Sequence, residues 1–247
     1  MKSQGNTMLI TGGGSGIGQA LAQRWHDLGN RVIVTGRRRE ALDETIAGRV
    51  GMSAMPLDVD DPAAIEAFAA AIIERHPELN VIVHNAGIMR YEDASRRRDL
   101  SDAEAMVTTN LLGPIRVTNA LIDHLSAQPD AAIVNVTSGL AFVPWTRTPT
   151  YSATKAALHS YTMALREALM GRVEVIELAP PAVQTELTPG QSTREGYLPL
   201  DEFIDETMRL AQAQPTPAEI NIERVHPLRF AERDGAMSER LAMLAAL

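Results

Sequence analysis

Cysteine is absent from the 247-residue chain. Its absence excludes disulfide bonds and thiolate chemistry, and it is compatible with a reducing compartment. No apolar run approaches the ~20 residues that a membrane-spanning helix needs. The segment 1–7 carries one positive charge ahead of only a short apolar stretch, which is not the pattern of a signal peptide. We therefore expect a soluble, cytoplasmic protein with no membrane association.

Positive charge is also scarce, since 23 Lys and Arg residues stand against 31 Asp and Glu residues and give a net charge of -8. An acidic surface repels a phosphate backbone, so the composition disfavours general nucleic-acid binding. Any anionic ligand must then be held by a local basic cluster. The length allows one large α/β domain or two small ones, and a hydrophobic content of 45% suffices for a sizeable core.

Short apolar runs alternate with helical patterns along the chain. Several runs are rich in β-branched residues and nearly continuous, which is typical of strands buried on both faces of a parallel sheet. The run at 55–57 is the weakest, because Pro56 suits a central strand poorly. The runs lie at residues 8–10, 32–34, 55–57, 81–83, 133–136 and 173–179. The alternation predicts an α/β fold with a doubly wound, mainly parallel sheet, flanked by helices on both faces.

Small or polar residues directly follow each of these runs. Ligands of open α/β sheets bind outside the carboxyl ends of the strands. The sequence therefore predicts that residues far apart in the chain share one binding edge. The residues that follow the runs are Gly12, Gly36, Asp58, Asn85, Ser138 and Pro180.

The segment Thr11–Gly18 reads T-G-G-G-S-G-I-G and joins the first predicted strand to the first helix. Glycines let a backbone turn sharply and approach a pyrophosphate, which the positive end of the following helix attracts. The glycine spacing does not fit the G-x-G-x-x-G fingerprint, and Gln19 stands where a Walker A loop has lysine. A plain glycine-rich turn is the alternative. The strand–turn–helix context favours a dinucleotide site.

The second run is followed by Thr35-Gly36-Arg37-Arg38-Arg39, and no carboxylate appears before Glu40. An acidic residue here would bind a ribose 2′-OH, whereas an arginine accommodates a 2′-phosphate. The sequence therefore favours NADP(H) over NAD(H), with Arg37 as the best candidate contact and Arg38 as the next. The alternative is that these arginines form a solvated helix start.

Tyr151 and Lys155 lie one helical turn apart if a helix begins near Tyr151, and Ser138 precedes the tyrosine by thirteen residues. Free tyrosine titrates near ~10, which is high for acid–base work, but a neighbouring ammonium lowers that pKa. Two charges ~4 Å apart interact by roughly 4 kcal/mol at an effective dielectric of ~20, enough for two or three pKa units. The phenol could then protonate a ketone oxygen to which Ser138 donates a hydrogen bond.

These segments, taken in order, resemble the short-chain dehydrogenase/reductase family in its classical form. The matching residues are Thr11–Gly18, Asn85-Ala86-Gly87, Asn110, Ser138 and Tyr151-x-x-x-Lys155, and the resemblance covers roughly Thr7 to Thr185. It implies one Rossmann-type domain over residues 1–247, a nicotinamide dinucleotide and interconversion of a carbonyl and an alcohol. The segments S-G-L-A-F from Ser138 and A-P-P-A-V-Q-T from Ala179 are similar to the DltE-like branch.

The resemblance also implies a role for each matched residue. Tyr151 would be the acid–base, Lys155 would lower its pKa and hold the nicotinamide ribose, and Ser138 would orient the substrate oxygen. Asn110 would hold a water molecule in a proton relay to Lys155. The complete set of expected cofactor contacts is Gly12, Gly14, Ser15, Gly16, Ile17, Gly18, Arg37, Arg38, Asp58, Val59, Asn85, Ala86, Gly87, Tyr151, Lys155, Pro180, Val183 and Thr185. Within that set Asp58 and Val59 would contact the adenine, although Asp58 could instead be a turn residue.

Two segments depart from the family pattern. Pro180-Pro181 stands where the family usually has Pro-Gly, which removes one N–H and stiffens the backbone beside the nicotinamide. Residues 219–247 lack the usual glycine-rich seventh strand, so we expect an atypical tail and a homodimer on the long helices, with a tetramer as the alternative. The intervening residues 184–213 would form a substrate loop that closes as a lid.

Other interpretations of these residues are weaker. Ser152-x-x-Lys155 matches one motif of the penicillin-recognising enzymes, but the companion S-D-N and K-T-G motifs are missing. The six histidines show no metal-ligand spacing, so we expect no metal. Arg147 could recognise an acidic substrate, although a surface role is favoured, and Arg96–Arg98 would be a solvated face. The rival from another class is a catalytically weak NADP-binding sensor or scaffold.

Overall fold

The computed structural model describes residues 1–246 and contains one seven-stranded sheet, in which every paired strand is parallel to its neighbour. The strand order is β3-β2-β1-β4-β5-β6-β7, so the chain reverses its direction of travel across the sheet between β1 and β4. The predicted doubly wound Rossmann fold is confirmed. The strands are β1 (Thr7–Thr11), β2 (Arg31–Thr35), β3 (Met52–Ala54), β4 (Leu79–His84), β5 (Ala132–Val136), β6 (Glu174–Leu178) and β7 (Glu219–Ile220).

Helices connect these strands and cover both faces of the sheet. A π-helical turn at Thr108–Leu112 joins the fourth helix to the fifth. No helix among the described residues is both long enough and apolar enough to cross a membrane. The helices are α1 (Gly16–Asp27), α2 (Arg39–Ile46), α3 (Pro62–Arg75), α4 (Ser101–Val107), α5 (Gly113–Ser126), α6 (Pro149–Ala168), α7 (Leu200–Ala211), α8 (His226–Arg229) and α9 (Met237–Ala245).

Alternate residues of the strands enter two separate hydrophobic cores. Ile10 packs in one core with Leu21 of α1 and Phe203 of α7. Its neighbour Leu9 points to the opposite face and packs in the other core with Ile72 of α3. Because both faces are covered, the strands carry apolar side chains at most positions, which explains their nearly continuous apolar runs.

The third strand lies three residues earlier than predicted. It comprises Met52–Ala54 rather than residues 55–57. Pro56 is the physical reason, because proline has no N–H to donate to a strand ladder. The Met55 N–H still donates to the Val34 carbonyl at 3.1 Å, so the chain continues alongside β2 beyond the strand proper.

The carboxyl-terminal segment adds a short strand and two helices. β7 has only two residues, which pair with Glu177 and Leu178 of β6. The segment then packs over the end of β5, where a Cβ atom added to Gly139 would lie 2.9 Å from the Leu228 Cδ1 atom. The predicted absence of a glycine-rich seventh strand therefore coincides with a two-residue strand followed by a tail that covers the loop after β5.

A buried glutamate secures the first turn of α6, the helix that carries Tyr151. The Glu92 side chain is only 2% exposed, and its carboxylate accepts hydrogen bonds from the Thr150 N–H at 2.9 Å and the Thr150 hydroxyl at 2.8 Å. Arg98 donates to the same carboxylate at 2.7 Å. Burial acts to raise the pKa of Glu92, but these hydrogen bonds outweigh it and hold the pKa below its ordinary value. The expectation that Arg98 lies on a solvated face is therefore wrong.

Substitution of Glu92 by glutamine tests this anchor. We expect the free energy of unfolding at pH 7 to fall by roughly 1–3 kcal/mol, because the donors of Thr150 and Arg98 lose their charged acceptor. Because the folded pKa is lowered, the wild-type advantage is full above the unfolded pKa of ~4.3 and is lost as the pH falls from there through the folded pKa. Urea unfolding at pH 7 and at a pH below the folded pKa of Glu92 measures the stability difference between wild type and variant. The exposed Glu66→Gln on α3 is the control. Equal stabilities of wild type and Glu92→Gln at pH 7 would contradict the anchor.

Candidate active site

The site is built where the carboxyl ends of β1 and β4 lie side by side. The Thr11 hydroxyl accepts hydrogen bonds from the N–H groups of Asn85 and Ala86, both at 3.0 Å. The Asn85 side-chain amide donates to the Thr11 carbonyl at 3.0 Å and to the Gly12 carbonyl at 3.2 Å. These bonds fasten the glycine loop to the segment after β4. The structure thereby brings together two of the motifs that the sequence separates.

Several positions of the loop accept only glycine. Gly12 and Gly16 have φ angles of 67° and 53°, in the left-handed region that other residues rarely adopt. A Cβ atom added to Gly18 would overlap both the Asn85 side-chain amide and the Gly12 carbonyl. The loop therefore lies close to the backbone of its neighbours and presents its own backbone at the amino end of α1, which is the arrangement that favours an anion.

A cleft of about 470 Å³ opens above this junction. It gathers most of the site residues that the sequence predicts, from the glycine loop to the segment after β6. The predicted residues that line it are Gly12, Ser15, Gly16, Ile17, Arg37, Arg38, Asn85, Ala86, Gly87, Ser138, Tyr151, Lys155, Pro180, Val183 and Thr185. Pro181 also lines it.

Some residues of the cleft were missed by sequence reasoning. Glu186, Leu187 and Gln191 fall within the expected lid segment 184–213, so only their individual positions were unforeseen. The others are Ile88, Arg90, Val136 and Thr137, which follow β4 or lie at the end of β5 and just after it, and they carry no motif signal of their own. Their neighbours in the sequence were the available clue, because each lies within three residues of a predicted site residue.

Five predicted residues lie outside the lining of the cleft. Gly14 and Gly18 lie against neighbouring residues of the protein, and the Asn110 side chain lies against Gly87. Asp58 lines a neighbouring open depression with Arg37 and accepts a hydrogen bond from the Asp60 N–H at 3.1 Å, so it forms the turn considered above. Val59 contacts α5, since a Cβ atom added to Gly113 would lie 3.3 Å from the Val59 Cγ2 atom. The adenine contacts of Asp58 and Val59 stay a prediction.

Two arginines stand at the mouth of the cleft beside the glycine loop. Arg38 donates to the Ser15 hydroxyl at 3.3 Å, and Arg37 lines both the cleft and the neighbouring depression. Arg39 differs, because it forms two hydrogen bonds of 2.9 Å with Asp43 on the next turn of α2. The alternative of a solvated helix start therefore describes Arg39 better than it describes Arg37 or Arg38.

Asn110 occupies the π-helical turn and has no exposed surface. Its amide oxygen accepts the Ile88 N–H at 2.8 Å, and its amide nitrogen donates to the Ile88 carbonyl at 2.9 Å and to the Thr154 hydroxyl at 3.3 Å. The side chain thus joins the segment after β4 to α6. A Cβ atom added to Gly87 would lie 3.3 Å from the Asn110 amide oxygen and 3.6 Å from the Lys155 ammonium.

Ser138, Tyr151 and Lys155 meet at the inner end of the cleft. The Ser138 hydroxyl forms a hydrogen bond with the Tyr151 phenol and accepts the Leu140 N–H at 3.1 Å. The Lys155 ammonium donates to the Val136 carbonyl at 2.9 Å and lies 5.7 Å from the centre of the Tyr151 ring. A phenol, a hydroxyl and an amine from α6 and the loop after β5 therefore share one small volume.

Burial dominates the acid–base properties of this group. It raises the pKa of Tyr151 to about 12, against the opposing effect of the Ser138 hydrogen bond. It lowers the pKa of Lys155 to about 8. The pKa of Tyr151 thus moves opposite to the expected lowering, because burial is the larger effect. That Lys155 acts to lower this pKa stays a prediction.

Arg147 does not line the cleft but stacks on aromatic rings next to it. Its guanidinium carbon lies 4.8 Å from the centre of the Tyr91 ring and 5.4 Å from that of Trp145. The favoured surface role of this arginine agrees with these contacts.

Comparisons with known proteins identify relatives of this arrangement. The family described as short chain dehydrogenase matches residues 6–196. The uncharacterized oxidoreductase DltE of Bacillus subtilis is 39% identical over 239 residues, which cover 94% of each chain. A sulfoacetaldehyde reductase of Chromohalobacter salexigens is 36% identical over 186 residues, which cover 73% of this chain and 74% of the relative.

A solved structure of another oxidoreductase has a similar fold. Serine dehydrogenase in its closed form, complexed with NADP+, superposes with a TM-score of 0.76 at 26% identity, covering 86% of this chain and 90% of that one. Family match, relatives and fold agree with the resemblance that the motifs carry. The chain therefore belongs to the short-chain dehydrogenase/reductase family of oxidoreductases, in its DltE-like branch.

Proposed function

We propose that this protein is an NADP(H)-preferring oxidoreductase that interconverts a carbonyl and an alcohol, with Tyr151 as the acid–base. The observation that carries the proposal is the meeting of Ser138, Tyr151 and Lys155 in the cleft that the glycine loop also lines. Perturbed titratable groups that meet in a cleft are typical of catalytic sites.

The residues of the cleft fit the nicotinamide dinucleotide that the family implies. The glycine loop offers close backbone and the positive end of α1 for a pyrophosphate. Lys155 would hold the nicotinamide ribose, and Thr185 would meet the carboxamide. When bound, the cofactor supplies or accepts the hydride, and its oxidised ring brings a positive charge.

Arg37 and Arg38 support a preference for the 2′-phosphate of NADP(H). Both line the mouth of the cleft, and the acidic residue that would bind a free 2′-OH is missing from this part of the sequence. The serine dehydrogenase that shares this fold is also complexed with NADP+.

Ser138 and Tyr151 direct two hydroxyls at one oxygen of the substrate. The phenol is protonated at neutral pH and can donate its proton to a carbonyl oxygen, but a pKa of about 12 makes it a weak general acid. The proposal therefore requires Lys155 to lower that pKa as the phenolate forms. The phenolate that remains is stabilised by the hydrogen bond from Ser138 and by the Lys155 ammonium. Because the pKa of Lys155 is about 8, most of this amine is charged at pH 7.

In this proposal Asn110 is a positioning residue. Its side-chain amide is committed to Ile88 and Thr154, so it fixes Gly87 and the segment after β4 against α6. The water that the family resemblance assigns to Asn110 stays a prediction.

The surroundings of the site suit a lid and a dimer. Glu186, Leu187 and Gln191 place the segment 184–213 in the wall of the cleft, where a substrate lid would act. The exposed apolar side chains of Val107 on α4 (38%) and Met163 on α6 (43%) are compatible with the proposed homodimer contact on the long helices. A cytoplasmic location stays a prediction.

Substitution of Tyr151 by phenylalanine tests the acid–base and separates an enzyme from a sensor. The variant keeps the buried ring, so NADPH affinity should stay within about threefold, while turnover should fall by at least ~100-fold. NADPH consumption against a panel of aldehydes and ketones measures turnover, and Tyr161→Phe on the same helix is the control. Equal turnover of wild type and Tyr151→Phe would refute the assignment. NADPH binding by a wild type that turns over no carbonyl would support the rival sensor.

The cofactor preference depends on Arg37 in this proposal. Arg37→Ala should weaken NADPH binding about tenfold, since a charge-assisted contact is lost, and should leave NADH binding unchanged. Titration of both cofactors by fluorescence measures the ratio of dissociation constants. Arg39→Ala is the matched control, because Arg39 is already paired with Asp43. An unaltered ratio in Arg37→Ala would reject this contact.

The buried amine of Lys155 predicts how stability changes with pH. Its folded pKa of about 8 lies below the unfolded value of ~10.4, so the penalty for burying the charge is full below pH 8 and is relieved as the pH rises to ~10.4. Relative to Lys155→Met, wild type should therefore gain on the order of 1–2 kcal/mol between pH 7.5 and 9.5. Urea unfolding measures this gain, with the exposed Lys2→Met as control. A pH-independent difference between wild type and Lys155→Met would contradict the burial argument.

A further inference from the structure

A second, smaller cavity opens beside the candidate catalytic group. It has a volume of about 120 Å³, and Ser138 and Tyr151 line both this cavity and the larger cleft. The two spaces therefore adjoin at the hydroxyls that would hold the substrate oxygen. A group bonded to the carbonyl carbon of a substrate would point from these hydroxyls into one space or the other.

The wall of the small cavity is apolar. Its large side chains come from four parts of the chain, namely the segments after β4, β5 and β6 and the tail after β7. They are Met89, Leu140, Trp145, Leu187, Leu228 and Leu244. Among residues 1–246, no charged side chain lines this cavity, whereas Arg90 and Glu186 line the cleft.

Two other polar side chains of the cavity wall have hydrogen-bond partners, whereas the Trp145 indole N–H is buried without one. The Gln191 amide oxygen accepts the Thr188 hydroxyl at 2.8 Å, and its nitrogen donates to the Val183 carbonyl at 2.9 Å. The Tyr197 hydroxyl accepts a hydrogen bond from Arg194 at 3.1 Å. Ser138, Tyr151 and the Trp145 indole N–H are therefore the polar groups of this wall that remain to meet a ligand atom.

The atypical tail fixes one side of this cavity. Leu228 packs so closely on the loop after β5 that a Cβ atom at Gly139 would lie 2.9 Å from its Cδ1 atom. The adjacent Arg229 forms hydrogen bonds of 2.6 and 2.8 Å with Glu219, and its guanidinium carbon lies 4.8 Å from the centre of the Phe142 ring. Leu244 of α9 is buried in the same apolar cluster as Trp145. These contacts hold the wall in place in the absence of any substrate group.

We propose that this cavity receives a compact hydrocarbon group of the substrate, so that the protein prefers uncharged aldehydes and ketones with a small apolar substituent. The inference rests on the function proposed above and names its substrate class. A cavity of about 150 Å³ lined by Leu, Ile and Phe binds benzene, so this one suits a group of roughly five or six carbons.

Anionic substrates fit this cavity poorly. A sulfonate or carboxylate placed there would lose its hydration and gain no cation in return. This distinguishes the protein from its relatives, whose names specify sulfoacetaldehyde and serine. The cations lie in the larger cleft, where Arg90 is one that would receive an anionic group if the preference were reversed.

Paired substrates test the preference directly. With NADPH, kcat/KM for benzaldehyde should exceed kcat/KM for sulfoacetaldehyde and for 4-carboxybenzaldehyde by at least tenfold. Higher kcat/KM for either anion would overturn the proposal while leaving carbonyl reduction itself intact.

A substitution that fills the cavity provides the second arm. Leu244→Trp should lower kcat/KM for benzaldehyde at least tenfold, while kcat/KM for acetaldehyde and the affinity for NADPH stay within about threefold. The matched control is Met243→Trp, at an exposed position on the same helix. Unchanged benzaldehyde reduction in Leu244→Trp would contradict the proposal. Retained NADPH affinity distinguishes a filled cavity from a misfolded protein.

A binding measurement separates this inference from the proposed function. The chain has two tryptophans, of which Trp145 lines the cavity and Trp25 belongs to α1 and lies in the core. With 5-fluorotryptophan in the NADP+-loaded protein, benzyl alcohol should move the fluorine signal of Trp145 and not that of Trp25, whereas the anion 2-hydroxyethanesulfonate should move neither. This response supports the cavity even if no carbonyl is turned over, in which case the proposed function fails alone. An unmoved Trp145 signal at saturating benzyl alcohol would overturn the cavity.

Discussion

The hydrogen bonds between Thr11 and Asn85 hold the carboxyl ends of β1 and β4 together, at the point where the strand order reverses. Because every paired strand is parallel, the loops after β1, β4, β5 and β6 all emerge at this one edge of the sheet. Segments that are far apart in the sequence therefore become neighbours in the fold, namely the glycine loop, Gly87, Ser138 and Pro180. The cleft exists because the helices that follow β1 and β4 lie on opposite faces of the sheet. Its chemistry depends on the side chains of the loops that meet there.

Burial then gives the site its electrostatic character. Tyr151 and Lys155 lose solvent when α6 packs against the segment after β4. Burial raises the pKa of Tyr151 and lowers that of Lys155, so both shifts favour the uncharged side chain. The fold therefore places in a dry volume two groups whose charged forms the proposed reaction needs. Stability lost at such positions is a common cost of function. Glu92 and Asn110 offset part of this cost, since each makes buried hydrogen bonds to α6.

Sequence patterns predicted the sheet and most of the cleft because those features are local. Runs of apolar residues define buried strands, and a strand's last residue marks the binding edge. The third strand was misplaced because Pro56 interrupts its ladder while the apolar pattern continues. The shift in the pKa of Tyr151 was predicted with the wrong sign, because burial is a property of the packed structure whereas the spacing to Lys155 shows only the nearby amine.

Long-range contacts carry no local pattern. Leu228 and Leu244 lie in a tail without any motif, and Glu92 bonds to Thr150, which is 58 residues away in the sequence. Such contacts appear only when the chain is folded.

Hydride transfer at the inner end of the cleft is the central claim, and the fate of the hydrogen on the nicotinamide ring tests it most directly. NADPH labelled with deuterium at both hydrogens of C4 would be incubated with benzaldehyde and the protein, and the alcohol would be examined by mass spectrometry and NMR. The account predicts benzyl alcohol with one deuterium on the former carbonyl carbon and a solvent hydrogen on its oxygen. Alcohol without deuterium on that carbon would contradict it.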